Sequence, residues 1–232
     1  MEQTTKITAH SGAEHTADNS LDFVRYALGL AVDALEVDVR RRADGVLALG
    51  HDAADEHSPT LQEVFALVAA HPSMCINCDL KMPGLEREVA ALAQQAGLAG
   101  RLIFSGTVDA AACAADPALH EQAEIYLNIE EYVPDLYVNY RNIPDFELQA
   151  AAEITAVCKR YDVRTVNINQ VLVTRRLVRT LAQEGLELSA WTVNEDSELR
   201  WFLENGVRNI TTREPSLALA LALALRDRQA QA

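Results

Sequence analysis

The run Ala34-Leu35-Glu36-Val37-Asp38-Val39-Arg40-Arg41-Arg42-Ala43-Asp44-Gly45-Val46-Leu47-Ala48-Leu49-Gly50-His51 places two apolar stretches on either side of Asp44-Gly45. Asp-Gly is a strong turn dipeptide, so the stretches read as the two strands of a β-hairpin. As a two-residue loop it sets Ala43 against Val46, and counting outward sets His51 against Asp38, close to Glu36. Glu36 and Asp38 are two apart on a strand, so both side chains share one face. Only six residues separate Val39 from Val46, too few for a parallel crossover of about a dozen or more.

That constraint decides how the remaining pattern is counted. Strands are predicted over 6–10, 34–39, 46–51, 74–80, 101–105, 124–129, 164–168, 186–192 and 208–211, with helices over 20–30, 60–71, 85–96, 108–115, 146–161, 174–184 and 196–205. Strands alternating with helices imply parallel strands joined by right-handed crossovers. Of nine strands one is the hairpin partner, which leaves eight. The expected fold class is α/β, a (β/α)8 TIM barrel with a β-hairpin near the second strand. A chain of 232 residues fits one such barrel, and no linker or composition shift divides it, so 1–232 reads as a single domain. The stretch Leu217 to Leu225 alternates Leu and Ala after Pro215-Ser216; it is too short to span a bilayer and reads as a packed terminal helix in preference to a strand.

Composition bounds the function. The chain is 49% apolar and carries 34 acidic against 20 basic residues, a net charge of −14. Nucleic-acid binding needs clustered Lys and Arg, so that class of partner is excluded. An anionic substrate would be repelled by the general field unless a divalent cation reverses it at the site. The start, Met1-Glu2-Gln3-Thr4-Thr5-Lys6, has no apolar run of signal-peptide length, so the expected location is cytoplasmic. Cys75-Ile76-Asn77-Cys78 matches C-x-x-C in spacing, but positions three apart on a strand face opposite ways. With no second Cys or His pair at zinc spacing, the four cysteines read as reduced and mostly buried.

Barrels of this class place their chemistry at the C-terminal strand ends. His10, Asp38, Asp79-Leu80-Lys81, Ser105, Asn128, Asn169 and the stretch 191–194 occupy such ends. Glu36, Asp38 and Asp79 converge with no arginine among them, which describes a hard-cation site suited to Mg²⁺ or Ca²⁺. Lys81 shares a face with Asp79 and can balance an acid or hold a phosphate. His10 and His51 supply proton carriers that titrate near neutrality. Arg40-Arg41-Arg42 reads as a solvated face beside the turn.

His10-Ser11-Gly12, Asp18-Asn19-Ser20, Glu36-Val37-Asp38, Asp44-Gly45-Val46, His51-Asp52, Pro59-Thr60-Leu61-Gln62-Glu63, Asp79-Leu80-Lys81, Trp191-Thr192-Val193-Asn194 and Ile210-Thr211-Thr212-Arg213-Glu214-Pro215 occur in this order. Together they resemble the glycerophosphodiester phosphodiesterases of the phospholipase-C-like barrel superfamily, from Ile7 to about Leu219. The resemblance implies hydrolysis of a small glycerol-linked phosphodiester to glycerol 3-phosphate and an alcohol. It places the catalytic histidines at His10 and His51, the ligands of one divalent cation at Glu36, Asp38 and Asp79, and substrate contacts at Lys81, Ser11 and Trp191. Which histidine is the base stays open. The family motif is His-Arg-Gly, so Ser11 removes a planar phosphate-binding fork. The family's usual insertion after the second histidine is reduced to about 53–58, implying a more open mouth. Two other readings stand beside this one: a barrel phosphodiesterase or lyase for another phosphodiester, and a non-catalytic paralogue that binds phosphate esters or cations.

Overall fold

The computed structural model describes residues 4–140 and 145–230; Met1-Glu2-Gln3, at the start considered above, lies outside them. The strands are β1 (Lys6–Ala9), β2 (Ala34–Arg41), β3 (Leu47–Leu49), β4 (Cys75–Leu80), β5 (Leu102–Gly106), β6 (Ala123–Asn128), β7 (Thr165–Asn169), β8 (Glu187–Trp191) and β9 (Asn209–Thr212). All but β3 pair in parallel in the order β1-β9-β8-β7-β6-β5-β4-β2, and a β1–β2 pairing closes the ring. The fold is therefore a closed eight-stranded TIM barrel with helices between its strands, as the strand count predicts. β3 lies outside the ring, antiparallel to β2.

The strand pattern explains which side of the sheet carries chemistry. On β2, Leu35, Val37 and Val39 are buried in the apolar layer between barrel and helices, as are Ile76, Cys78 and Leu80 on β4 and Val166 and Ile168 on β7. The alternate residues, Glu36, Asp38, Asn77, Asp79 and Asn167, line a cavity inside the barrel. The period of two thus puts the apolar residues under the helices and the polar ones at the barrel axis. A small apolar group of Ala34, Ile103 and Tyr126 is separate from the main core. All four cysteines are free thiols, and burial pushes Cys78 well above the ordinary thiol range.

The hairpin forms, but its register differs by one residue from the two-residue loop. Val39 pairs with Leu49, Arg40 with Ala48 and Arg41 with Leu47. The Arg42 N–H donates to the Val46 carbonyl, and the loop is Ala43-Asp44-Gly45. Gly45 adopts φ +90°, the left-handed step that closes a three-residue loop. Asp44 accepts the Val46 N–H at 3.2 Å and is paired with Arg42. A slip of one turns every side chain of a strand over, so Gly50, not His51, comes opposite Asp38, its N–H donating to the Asp38 carbonyl at 3.1 Å.

The hairpin leads into the helix Leu61–Ala69, whose start is held by a capping box. Thr60 Oγ1 accepts the Glu63 N–H at 3.2 Å, and Glu63 accepts the Thr60 N–H at 2.8 Å. Replacing Thr60 with alanine is expected to cost about 1 kcal/mol, or roughly 2–4 °C in Tm for a chain this size; an unchanged melting curve would contradict the cap. The C-terminal run is helical, as expected, over Pro215–Ala230. On a helix, an alternating pattern scatters its leucines around the axis, so Leu221 is buried while Leu223 is 60% exposed. Among the described residues no helix is long and apolar enough to cross a membrane.

Candidate active site

The C-terminal strand ends surround a cavity of about 390 Å³ lined by His10, Glu36, Asp38, His51, Asp79, Lys81 and Trp191. Seven of the eight residues singled out above therefore meet in one cleft. The eighth, Ser11, does not line it. Its side chain is buried and its Oγ accepts the Asn19 N–H at 2.5 Å, so it fixes the loop after β1 and turns away from the cleft.

Strand register brings the acids together. Asp38 on β2 stands level with Asp79 on β4, and Glu36 with Asn77. One oxygen each of Glu36, Asp38 and Asp79 lies within 4.8 Å of the others. Glu36 Oε2 accepts the Ser11 N–H at 3.0 Å, and Asp38 Oδ2 accepts from Asn19 Nδ2 at 2.7 Å. Lys81 Nζ sits 3.0 Å from Asp38 Oδ1 and 2.6 Å from Asp79 Oδ2. Burial works against that ammonium, but Asp79 and Asp38 outweigh it and hold Lys81 above its ordinary range. Burial raises the Glu36 carboxyl to about 7, with His10 opposing and Asp38 and Asp79 reinforcing the shift. Burial also raises Asp79, against the pull of Lys81.

This donor set fits a divalent cation. Once ionised, three carboxylates against one ammonium leave two negative charges uncompensated, and hard oxygen donors suit Mg²⁺ or Ca²⁺. Asn77 Oδ1, also in the cavity, is buried with no hydrogen-bond partner among the described residues.

The two imidazoles arrive differently. His10 directly follows β1, and its Nδ1 lies 2.8 Å from the Ser11 carbonyl. A carbonyl only accepts, so Nδ1 donates to it and Nε2 is left free of that contact. Glu36 Oε2 lies 3.9 Å from that same Nδ1. His51 is on the turn beyond β3, where the chain folds back so tightly that a Cβ on Gly50 would lie 2.0 Å from the Ala53 carbonyl oxygen. Its side chain is 66% exposed, its Nδ1 faces Asp52 at 2.8 Å, and its backbone carbonyl accepts from Arg40 Nε at 2.8 Å. Arg40 thus braces the turn without entering the cavity, while Arg41 pairs with Glu88 and Arg42 with Asp44.

Several further residues line the cavity, and the sequence marks them less plainly. Asn128 and Asn167 build the floor, joined by a 2.7 Å hydrogen bond from Asn167 Nδ2 to Asn128 Oδ1. Polar residues at alternate positions of otherwise apolar strands were the signal for Asn77 and Asn167. Asp18 and Arg213, 3.0 Å apart, face each other at the rim; Arg213 follows β9 by one residue and so occupies a strand end like the others. Asn169, also at a strand end, caps the following turn by accepting the Val171 N–H and does not line the cavity.

Comparison with known proteins agrees with this geometry. A sequence model of the glycerophosphoryl diester phosphodiesterase family matches residues 53–217. A glycerophosphodiester phosphodiesterase of Bacillus altitudinis is 24% identical over 93% of this chain and 97% of its own. One from Arabidopsis thaliana is 24% identical over 91% of this chain and 71% of its own. Among solved structures, a glycerophosphodiester phosphodiesterase from Parabacteroides distasonis superposes with a TM-score of 0.73 at 17% identity, covering 97% of this chain and 100% of that one. An Oleispira antarctica phosphodiesterase in complex with the product sn-glycerol-3-phosphate superposes with a TM-score of 0.70 at 18% identity, over 94% of this chain and 96% of that one. At these identities the superpositions show a shared fold.

Proposed function

The chain belongs to the glycerophosphoryl diester phosphodiesterase family, and we propose that it is a cation-dependent hydrolase of small glycerophosphodiesters, releasing glycerol 3-phosphate and an alcohol. The observation that carries this reading is the meeting of three carboxylates, two imidazoles and a lysine in one cleft. Glu36, Asp38 and Asp79 would hold one divalent cation, Mg²⁺ or Ca²⁺, which when bound supplies the positive charge that phosphoryl oxygens require. Asn19 and Ser11 hold two of these carboxylates in place through the hydrogen bonds described.

Each histidine presents an Nε2 not committed by its Nδ1 contact. One takes the proton from the attacking oxygen, and the other delivers a proton to the departing alcohol. Lys81 stands where it can reach a phosphoryl oxygen while balancing Asp38 and Asp79. Trp191 forms an aromatic wall of the cleft. The short segment 53–58 stands in place of a longer family insertion and leaves the alcohol side open.

The test is hydrolysis itself. With Mg²⁺ or Ca²⁺, the protein is expected to release glycerol 3-phosphate from glycerophosphocholine or glycerophosphoethanolamine, and to stop on addition of a chelator. Turnover of unrelated diesters alone would redirect the substrate assignment. No turnover of any diester, with cation binding retained, would favour a binding protein.

A further inference from the structure

The cleft must attract an anion although its walls are rich in acid. Of the Lys and Arg side chains lining it, Lys81 shares its charge with Asp38 and Asp79 and offers a single ammonium. The other is Arg213, and its setting is that of a placed ligand-binding group. Its backbone N–H donates to Asn194 Oδ1 at 2.9 Å, and its carbonyl accepts the Glu14 N–H at 2.9 Å. β9 pairs with β1 so that Thr212 stands level with Ala9, and the His10 N–H donates to the Thr212 carbonyl at 2.8 Å. Arg213 therefore leaves the barrel wall alongside His10.

Its guanidinium reaches across the loop after β1. A Cβ built on Gly12 would lie 3.2 Å from Arg213 Nη1, and Asp18 Oδ1 is 3.0 Å from Nη2. The side chain is 41% exposed. Asp18 thus engages one edge of the fork and holds its orientation, while the guanidinium still has N–H groups to offer. Ser11, next to Gly12, cannot do this work, because its hydroxyl is buried against Asn19.

Building on the phosphodiesterase reading above, we propose that Arg213 binds the phosphoryl oxygens of the substrate, as a planar two-pronged donor entering from β9, with Asp18 as its positioning residue. A guanidinium gives two parallel hydrogen bonds to a phosphate, which an ammonium cannot match. It also places positive charge at the rim of an acidic protein, where an incoming anion meets it first.

Binding of glycerol 3-phosphate, followed by calorimetry with Ca²⁺ or Mg²⁺ present, tests this alongside hydrolysis kinetics. Arg213→Ala is expected to weaken glycerol 3-phosphate about 10- to 100-fold, the effect of losing a charge-assisted contact. It should raise KM for the diester while leaving cation affinity, measured without the phosphate ligand, unchanged. Arg213→Lys should recover only part of the loss. Should the alanine variant not fold, Arg213→Gln keeps the reach without the charge and should show the same weakening. Wild-type protein that binds glycerol 3-phosphate and turns over, with Arg213→Ala and Arg213→Gln binding equally well, would overturn this assignment alone. Wild-type protein that neither binds glycerol 3-phosphate nor hydrolyses any diester would overturn the activity, and the assignment with it.

Discussion

Exchanging His51 for alanine is expected to lower diester hydrolysis by about 10²- to 10⁴-fold, the usual worth of a positioned proton carrier, and to leave the melting temperature unchanged. The second half follows from where the ring sits. It is 66% exposed, and its side-chain partner is Asp52, itself on the surface; substitutions at such places rarely change stability by more than about 0.5 kcal/mol. The turn is held by other means, the Arg40 contact to the His51 carbonyl and the close approach at Gly50, and both survive truncation of the ring. His10→Ala should cost a comparable factor in rate but also some stability, because that ring is only 24% exposed and bonded to Ser11. Two carriers serving one reaction do not add, so the double variant should be little slower than either single one. A His51→Ala enzyme retaining a tenth or more of wild-type turnover would remove His51 from the chemistry.

A second large effect concerns the cation and its dependence on pH. Glu36 titrates at about 7 in the folded chain, against 4.5 ordinarily. Between those values the folded chain holds a proton that the unfolded chain has released. Stability without cation therefore falls as pH rises from about 4.5 to about 7 and then levels off, by an amount on the order of 3 kcal/mol. Binding a divalent ion requires that proton to leave and replaces the repulsion among the acids with attraction. Adding Mg²⁺ or Ca²⁺ should accordingly raise Tm by several degrees at about pH 8 and by much less at about pH 5. Glu36→Gln should flatten the pH slope and shrink the cation effect together. A Tm indifferent to both ions across this range would mean that the three acids hold no metal.

Much of this was written locally in the chain. The alternation Leu35-Val37-Val39 against Glu36-Asp38 is enough to set two acids on one strand face, and the short gap before Val46 is enough to remove one strand from the ring. The hairpin register was harder, because Asp-Gly serves both a two-residue loop and a three-residue loop with a left-handed glycine. What distinguishes them is the side chain of Asp44, which binds Arg42 and the Val46 N–H. His51 reaches the cleft all the same, carried by the fold-back at Gly50. Ser11 and Arg213 were illegible for a different reason. Whether a residue after β1 points in or out, and what faces it, depends on β9 closing the ring against β1, a pairing between the two ends of the barrel that no local pattern encodes.

The scattered leucines of the C-terminal helix carry a consequence for handling the protein. In a chain that has lost its tertiary contacts, the stretch from Leu217 to Leu225 is nine apolar residues with no charge among them, an exposed sticky run of the kind that draws partly folded chains together. Renaturation from denaturant at high concentration should therefore lose material to precipitation before the barrel closes. A single charge at the outward position, Leu223→Glu, is expected to improve the recovered yield with no penalty to the finished molecule, since that side chain already faces water.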